Sequence, residues 1–283
     1  MPVMLLLPQL LIIFIFFYWP AFEAMRSSFF LVDPFMGTGT FVGMDNYFDL
    51  FNNNEYMRIA TYTVFFTVTV TFFSLALGLL FAVKADKVIK GASTYKTLLM
   101  WVYAVAPPVA GLLGVSLFYQ GHGLITQMFA FFGYEYVIGV NYYDTALAQI
   151  VVSIWKQVPI NFIFFLSGLQ SVPRSIQEAA MIDNRSGTSR FWTITFPLLA
   201  PTGFFLLITN ITYALFDTFG VIDVLLRSEP GNNPLTLVYK VYVDGFRGND
   251  LGGSSAQSVI LMVLVLALTV FQFRLIERRI HYT

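Results

Sequence analysis

The chain has 283 residues, of which 57% are hydrophobic, 18% aromatic and 11% charged. A soluble domain carries about 25% charged residues, so this composition excludes an ordinary soluble protein and indicates a polytopic membrane protein. The net charge is zero and no basic block is present, which argues against nucleic-acid binding. The absence of cysteine excludes disulfides, thiolate catalysis and cysteine-ligated metals.

Six stretches are long and apolar enough to cross a bilayer, which needs about 20 residues of helix. They are residues 3–22, 59–83, 97–119, 145–172, 202–226 and 251–273. The first is predicted to be a membrane helix and not a secretory signal, because no Lys or Arg precedes it and no clean cleavage site follows it. Since helices satisfy their own backbone hydrogen bonds in lipid, we predict an all-α polytopic membrane protein with six transmembrane helices in a single domain, residues 1–283.

The distribution of Lys and Arg predicts the orientation. One set lies after spans two and four and in the C-terminal tail: Lys84, Lys87, Lys90, Lys96, Arg174, Arg185, Arg190, Arg274, Arg278 and Arg279. The opposite side has fewer: Arg26, Arg58, Arg227, Lys240 and Arg247. Because cytoplasmic loops carry the excess of positive charge, the first set and both termini are predicted to be cytoplasmic.

Lys156 lies near the middle of the fourth span, three residues before Pro159. A charge at the bilayer centre costs about 3 kcal/mol on insertion scales, so Lys156 is expected to face protein or a water-filled cavity. Two interpretations are open. Lys156 is part of a polar translocation path that meets an anionic solute, or it forms a structural ion pair, for instance with Asp217.

Residues 173–201 interrupt the apolar pattern between spans four and five. Ser175 and Glu178 have the spacing of a helix capping box. A narrow helical face at three- and four-residue steps follows: Ile176, Ala179, Ala180 and Asp183. Asn184 fits the helix end, because asparagine tolerates the left-handed conformation. By these residues alone the segment is either a docking helix for a partner or an amphipathic helix on the membrane surface.

Span five carries a polar face, because Asn210, Tyr213 and Asp217 are three and four residues apart. Together with Asn161 on span four, these side chains are candidates for a polar path that replaces water around solute hydroxyls. The alternative is interhelical hydrogen bonding, which contributes about 0.6 kcal/mol on average in membranes.

Catalysis has little support in the sequence. His122 and His281 are the only histidines, and neither has a second histidine at metal-ligand spacing. The H-E-x-x-H and G-x-S-x-G motifs are absent, and so is G-x-x-x-x-G-K-[ST], so the chain is not expected to be an enzyme or to bind ATP itself.

The segment between spans four and five, residues 173–201, resembles the EAA loop of permease subunits of ABC importers. The residues that carry the resemblance are Glu178, Ala179, Ala180, Asp183, Ile194, Pro197 and Pro201. The family usually has a glycine directly after the aspartate, where this chain has Asn184. In the family the loop is a coupling helix that docks into a groove on a cytoplasmic ATPase. The resemblance therefore implies the following coupling residues: Glu178, Ala179, Ala180, Asp183, Asn184 and Arg185.

Shorter stretches are similar to the sugar-importer branch of this family: residues 17–20, 41–47, 103–107 and 216–219. Others are similar to permease subunits of sn-glycerol-3-phosphate importers: residues 123–126, 239–242 and 255–259. The resemblance implies the type I ABC importer permease fold in the bacterial inner membrane. It also implies that the chain moves sn-glycerol-3-phosphate, or a related glycerophosphodiester or sugar, by alternating access.

The implied partners are a second homologous permease in a heterodimer, two copies of a cytoplasmic ABC ATPase that bind ATP and Mg, and a periplasmic or extracellular solute-binding protein. No cofactor or metal is expected on this chain. The alternative is a proton- or ion-coupled secondary transporter that uses Lys156 and Asp217, which inverted repeats would favour, and no repeat is visible. The missing motifs disfavour an intramembrane enzyme.

Overall fold

A computed structural model describes residues 2–32, 39–86, 92–173, 175, 176, 178, 180, 186–227 and 233–277. The first elements are α1 (Pro2–Ile13), a π-helical turn (Phe14–Tyr18), α2 (Trp19–Ser27), β1 (Phe30–Val32), β2 (Gly39–Phe41), α3 (Asp45–Asn52) and α4 (Asn54–Asp86). The central elements are α5 (Ala92–Ala104), α6 (Pro107–Phe118), α7 (Leu124–Phe131) and α8 (Tyr142–Ser171). The last elements are α9 (Gly187–Arg190), a π-helical turn (Phe191–Thr195), α10 (Phe196–Leu198), α11 (Ala200–Thr212), a π-helical turn (Tyr213–Asp217), α12 (Phe219–Arg227), α13 (Leu237–Tyr242), a π-helical turn (Val243–Arg247) and α14 (Leu251–Glu277).

Five helical segments are long and apolar enough to cross a membrane: Leu6–Ser27, Asn54–Asp86, Tyr142–Ser171, Ala200–Arg227 and Leu251–Gln272. A sixth span is obtained if α5 and α6 together cross once. Each of these segments overlaps one predicted span, so the predicted all-α membrane fold is confirmed. The spans differ from the prediction mainly at their ends and at the third one.

The third span is bent by 101° between Lys96–Ala104 and Pro107–Phe118, where the sequence pattern predicts one continuous helix over residues 97–119. Ala106 has extended backbone angles, φ −62° and ψ 143°, which is the conformation that a following proline favours. Pro107 and Pro108 also lack the backbone N–H groups that would bind the carbonyls of Tyr103 and Ala104 in a continuous helix. The two prolines therefore end α5 and begin α6.

Residue contacts divide the chain into two compact units, and the prediction of one membrane domain stays a prediction. Unit 1 comprises Met1–Thr63 and Leu235–Thr283. Its core is formed by Leu50, Tyr56, Ile59, Leu237, Ala256 and Leu261. The end of α2 is tied to α3, because Asn46 Nδ2 donates to the carbonyl of Ser28 at 2.8 Å and Tyr47 Oη donates to Ser28 Oγ at 2.7 Å. The segment between α2 and α3 is thus held against unit 1 by side-chain hydrogen bonds.

Unit 2, Val64–Pro234, contains two clusters of buried apolar side chains. One cluster lies toward the C-terminal ends of α4 and α8 and includes Phe162, Phe165 and Leu206. The α4 and α8 backbones approach closely at Gly78, where an added Cβ would overlap the Cβ of Asn161 and lie 3.1 Å from the Asn161 carbonyl carbon. Close approach at a small residue is how membrane helices gain packing energy without a hydrophobic driving force.

The segment before α8 folds back onto the first turn of that helix. The buried Asp144 carboxylate accepts from Tyr134 Oη at 2.7 Å and from the Val137 backbone N–H at 3.0 Å. The Tyr136 hydroxyl donates to the Asp144 carbonyl oxygen. Hydrogen bonding to Asp144 raises the pKa of Tyr134, and burial raises the pKa of Tyr136. Both phenols therefore stay protonated around neutral pH and can donate hydrogen bonds. These bonds hold the segment over the first turn of α8.

Candidate translocation site and coupling loop

A cavity of about 620 Å³ in unit 2 contains three of the five predicted path residues. It is lined by Tyr103, Ala104, Val105, Ala106, Pro107, Lys156, Gln157, Ile160, Phe164, Phe205, Leu206, Thr209, Tyr213 and Asp217. The break between α5 and α6 forms one wall of this cavity. Apolar and aromatic side chains dominate the lining and a few polar groups converge in it, which is typical of small-molecule sites.

Lys156 lies on α8, is 7% exposed and points to the broken end of α5. Its Nζ donates to the Tyr103 carbonyl oxygen at 3.4 Å and lies 5.7 Å from the centre of the Tyr103 ring. This carbonyl has no helical donor because Pro107 occupies the position four residues later. The hydrogen-bond partner of this intramembrane charge is thus the end of a helix.

Tyr213 and Asp217 lie at the two ends of the π-helical turn that interrupts span five. Tyr213 Oη donates to the Ser153 carbonyl on α8 at 3.2 Å. Asp217 is an exposed residue that borders the cavity. Among the described residues, no salt bridge joins Lys156 to Asp217. Single π-helical turns are frequent at functional sites, and here the turn brings both predicted polar side chains to the cavity.

Asn161 and Asn210 do not line the cavity but bind each other. Asn161 Nδ2 donates to Asn210 Oδ1 at 2.9 Å, and Asn210 Nδ2 donates to Asn161 Oδ1 at 2.6 Å. Both residues are fully buried. This reciprocal amide pair joins α8 to α11, which is the interhelical arrangement that the sequence left as the alternative.

The structure describes two of the six predicted coupling residues, Glu178 and Ala180, and both are helical. Glu178 is exposed, whereas Ala180 is 5% exposed. Ala180 borders a cavity of about 480 Å³ formed with the C-terminal ends of α4 and α8 and with residues 187–195. Ala179, Asp183, Asn184 and Arg185 lie outside the described residues. The loop thus presents the Glu178 carboxylate to solvent and buries the Ala180 methyl group within its own chain.

Sequence reasoning missed the backbone groups and neutral side chains of the cavity: the Tyr103 carbonyl, Gln157 and Thr209. The adjacent prolines at 107 and 108 were the available signal for the first of these. In the part of the chain that the structure describes, no group of three or more His, Cys, Asp and Glu side chains is arranged to hold a metal ion. His122 is exposed, and His281 lies outside the described residues.

Comparison with known families matches residues 38–282 to the family described as "Binding-protein-dependent transport system inner membrane component". The chain is 45% identical to the "sn-glycerol-3-phosphate transport system permease protein UgpA" of Rhizobium meliloti (strain 1021), over 100% of this chain and 96% of that protein. The identity to the protein of the same name from Brucella abortus biovar 1 (strain 9-941) is also 45%, over 100% of this chain and 97% of that protein.

Solved structures share the fold. A bacterial ABC transporter involved in the import of the acidic polysaccharide alginate superposes with a TM-score of 0.81 and 19% identity, covering 98% of this chain and 95% of that chain. The inward-facing MetNI methionine ABC transporter superposes with a TM-score of 0.56 and 14% identity, covering 81% of this chain and 100% of that chain.

Proposed function

Because the chain belongs to the binding-protein-dependent transport system inner membrane component family and is a permease subunit of an ABC importer, we propose that its solute is sn-glycerol-3-phosphate or a related glycerophosphodiester or sugar. The observation that carries this proposal is the 45% identity, along the whole chain, to proteins named as sn-glycerol-3-phosphate permeases. The solute crosses by alternating access, and a separate ATPase drives the change.

The coupling loop transmits the movement of the ATPase. Glu178 and Asp183 are the principal polar docking groups, and Arg185 supports the loop or contacts the ATPase. Of these, the structure describes Glu178, which is exposed on a helical segment. The small side chain of Ala179 allows a close fit to the ATPase. Asn184 is suited to the end of the helix, because asparagine tolerates the left-handed conformation. Ala180, buried beside the C-terminal ends of α4 and α8, connects the docked segment to unit 2. A displacement of the loop therefore reaches α8, which carries Lys156.

Lys156, Tyr213 and Asp217 form the polar part of the solute path in unit 2, since all three border one cavity. Asp217 accepts hydroxyl hydrogen bonds from the solute, and its lack of a salt bridge to Lys156 leaves both charges available. Asn161 and Asn210 serve the path indirectly, because their amide pair fixes α8 against α11 beside the cavity.

The assembly contains a second homologous permease, two copies of a cytoplasmic ATPase that bind ATP and Mg, and a periplasmic or extracellular solute-binding protein. The chain itself needs no cofactor and is not catalytic. It lies in the bacterial inner membrane with both termini and the coupling loop in the cytoplasm, as the excess of Lys and Arg in the inner connections indicates.

Uptake of labelled sn-glycerol-3-phosphate by the native cells, with and without the gene, tests this function. We expect deletion to abolish high-affinity uptake and the restored gene to recover it. Uptake should stop when ATP is depleted and continue when the proton gradient is collapsed at constant ATP. Uptake that follows the proton gradient would contradict the proposal and favour a secondary transporter with Lys156 and Asp217 as the coupled pair.

A further inference from the structure

The broken end of α5 depends on one lysine from another helix. The Tyr103 carbonyl loses its helical partner at Pro107, and Lys156 Nζ supplies the replacement at 3.4 Å. A cation at a helix C-terminus is favourable, because the last carbonyls are unpaired and carry partial negative charge. The replacement is a single long hydrogen bond with a cation–π contact at 5.7 Å, so it is a weak attachment for a buried charge.

A stronger partner for this ammonium group would be an anionic oxygen. The ammonium group is already an ionised donor, and an ionised acceptor adds Coulomb attraction that is stronger in a low-dielectric interior than in water. Asp217 borders the same cavity, yet it forms no salt bridge with Lys156 among the described residues. The Lys156 charge therefore faces a cavity of about 620 Å³ with a neutral carbonyl as its hydrogen-bond partner.

We propose that Lys156 determines specificity for anionic solutes by exchanging the Tyr103 carbonyl for the phosphate group of the solute. The exchange frees the end of α5, so the bend between α5 and α6 responds to a phosphate ester and not to a neutral polyol. Asp217 remains free to accept the hydroxyl groups at the other end of the solute. This inference rests on the proposed function, because the cavity must lie on the path of the solute.

The experiment measures the bend between α5 and α6 as a distance between two spin labels. The chain has no cysteine, so Leu98→Cys and Leu112→Cys introduce two unique spin-label positions on exposed faces of α5 and α6. In the full chain in lipid nanodiscs, we expect millimolar sn-glycerol-3-phosphate to broaden the distance distribution, and glycerol at the same concentration to leave it unchanged.

The variant Lys156→Gln separates the two partners of Lys156. Its amide keeps N–H donors of similar polarity facing the cavity, but it has no charge for a phosphate. We expect this variant to fold and to lose the broadening, whereas Lys156→Arg keeps it. Lys84→Gln, which removes an exposed lysine outside the cavity, is the matched control and should also keep it. Broadening by glycerol, or broadening that persists in Lys156→Gln, would overturn the proposal.

Uptake by cells distinguishes failure of this proposal from failure of the proposed function. We expect Lys156→Gln to lower the maximal rate of sn-glycerol-3-phosphate uptake about tenfold, the effect of losing one charge-assisted hydrogen bond, with normal amounts of protein in the membrane. Wild-type rates in Lys156→Gln cells, when deletion abolishes uptake, would refute the role of Lys156 alone. Uptake that survives deletion of the gene would refute the function as well.

Discussion

Four buried polar side chains of unit 2 have two kinds of surroundings. Lys156 and Tyr213 border a cavity, whereas Asn161 and Asn210 are enclosed and satisfy each other. From the sequence all four were candidates for a polar path on spans four and five, but no feature of the sequence separated the two groups. Asn161 and Asn210 are 49 residues apart, and their pairing depends on how α8 packs against α11.

The amide pair should be energetically coupled. We expect Asn161→Ala and Asn210→Ala each to destabilise the protein by about 2 kcal/mol, because each leaves a buried amide without its partner. The double variant should cost less than the sum of the two, by about 0.6–1.7 kcal/mol. Thermal unfolding in detergent micelles measures this, with Thr212→Ala, an exposed polar residue on α11, as control. Additive single and double variants would show that the pair does not stabilise the interface.

The substitution Glu178→Ala tests whether this carboxylate couples the loop over residues 173–201 to an ATPase. We expect Glu178→Ala to abolish solute uptake while the protein reaches the membrane in normal amounts, because Glu178 is exposed and its loss leaves no cavity in the fold. Glu55→Ala, which removes an exposed carboxylate at the start of α4, should transport normally. Normal uptake by the Glu178 variant would remove this residue from the coupling role.

The helices show which features an apolar pattern predicts and which it does not. All six predicted spans correspond to helical segments, because each needs only length and hydropathy. The bend at Ala106 has a local cause, the adjacent Pro107 and Pro108, so it could be predicted from the sequence. The π-helical turn at Tyr213–Asp217 has no such local signal, since no proline lies within it.

The crossing of α4 and α8 depends on Gly78. Because a Cβ at this position overlaps Asn161, we expect Gly78→Ala to destabilise the protein by about 1–3 kcal/mol through overpacking. Gly203→Ala in α11 is the matched control, since its Cβ would meet only a Phe165 ring atom at 3.8 Å. Thermal unfolding of both variants in the same detergent gives the comparison, and equal melting temperatures would contradict the close approach.

At the scale of the whole molecule, composition predicted a multi-pass membrane protein, and the resemblance of residues 173–201 to the EAA loop predicted the permease family. Both predictions are confirmed, because they rest on features that survive at low sequence identity, such as the fold shared at 19% identity with the alginate transporter. The cavity could not be predicted as a whole. Its walls come from α5, α8 and α11, and its key acceptor is a backbone carbonyl that no residue type reveals.

We propose that this chain transports its solute only together with a separate ATPase. The most direct test is purification of the full chain from its native membranes in a gentle detergent, followed by mass spectrometry of everything that elutes with it. We predict a second permease and a nucleotide-binding subunit in a ratio of one to two, and loss of the nucleotide-binding subunit from the Glu178→Ala preparation. A chain that elutes without any ATPase while the same cells retain solute uptake would contradict the dependence on an ATPase.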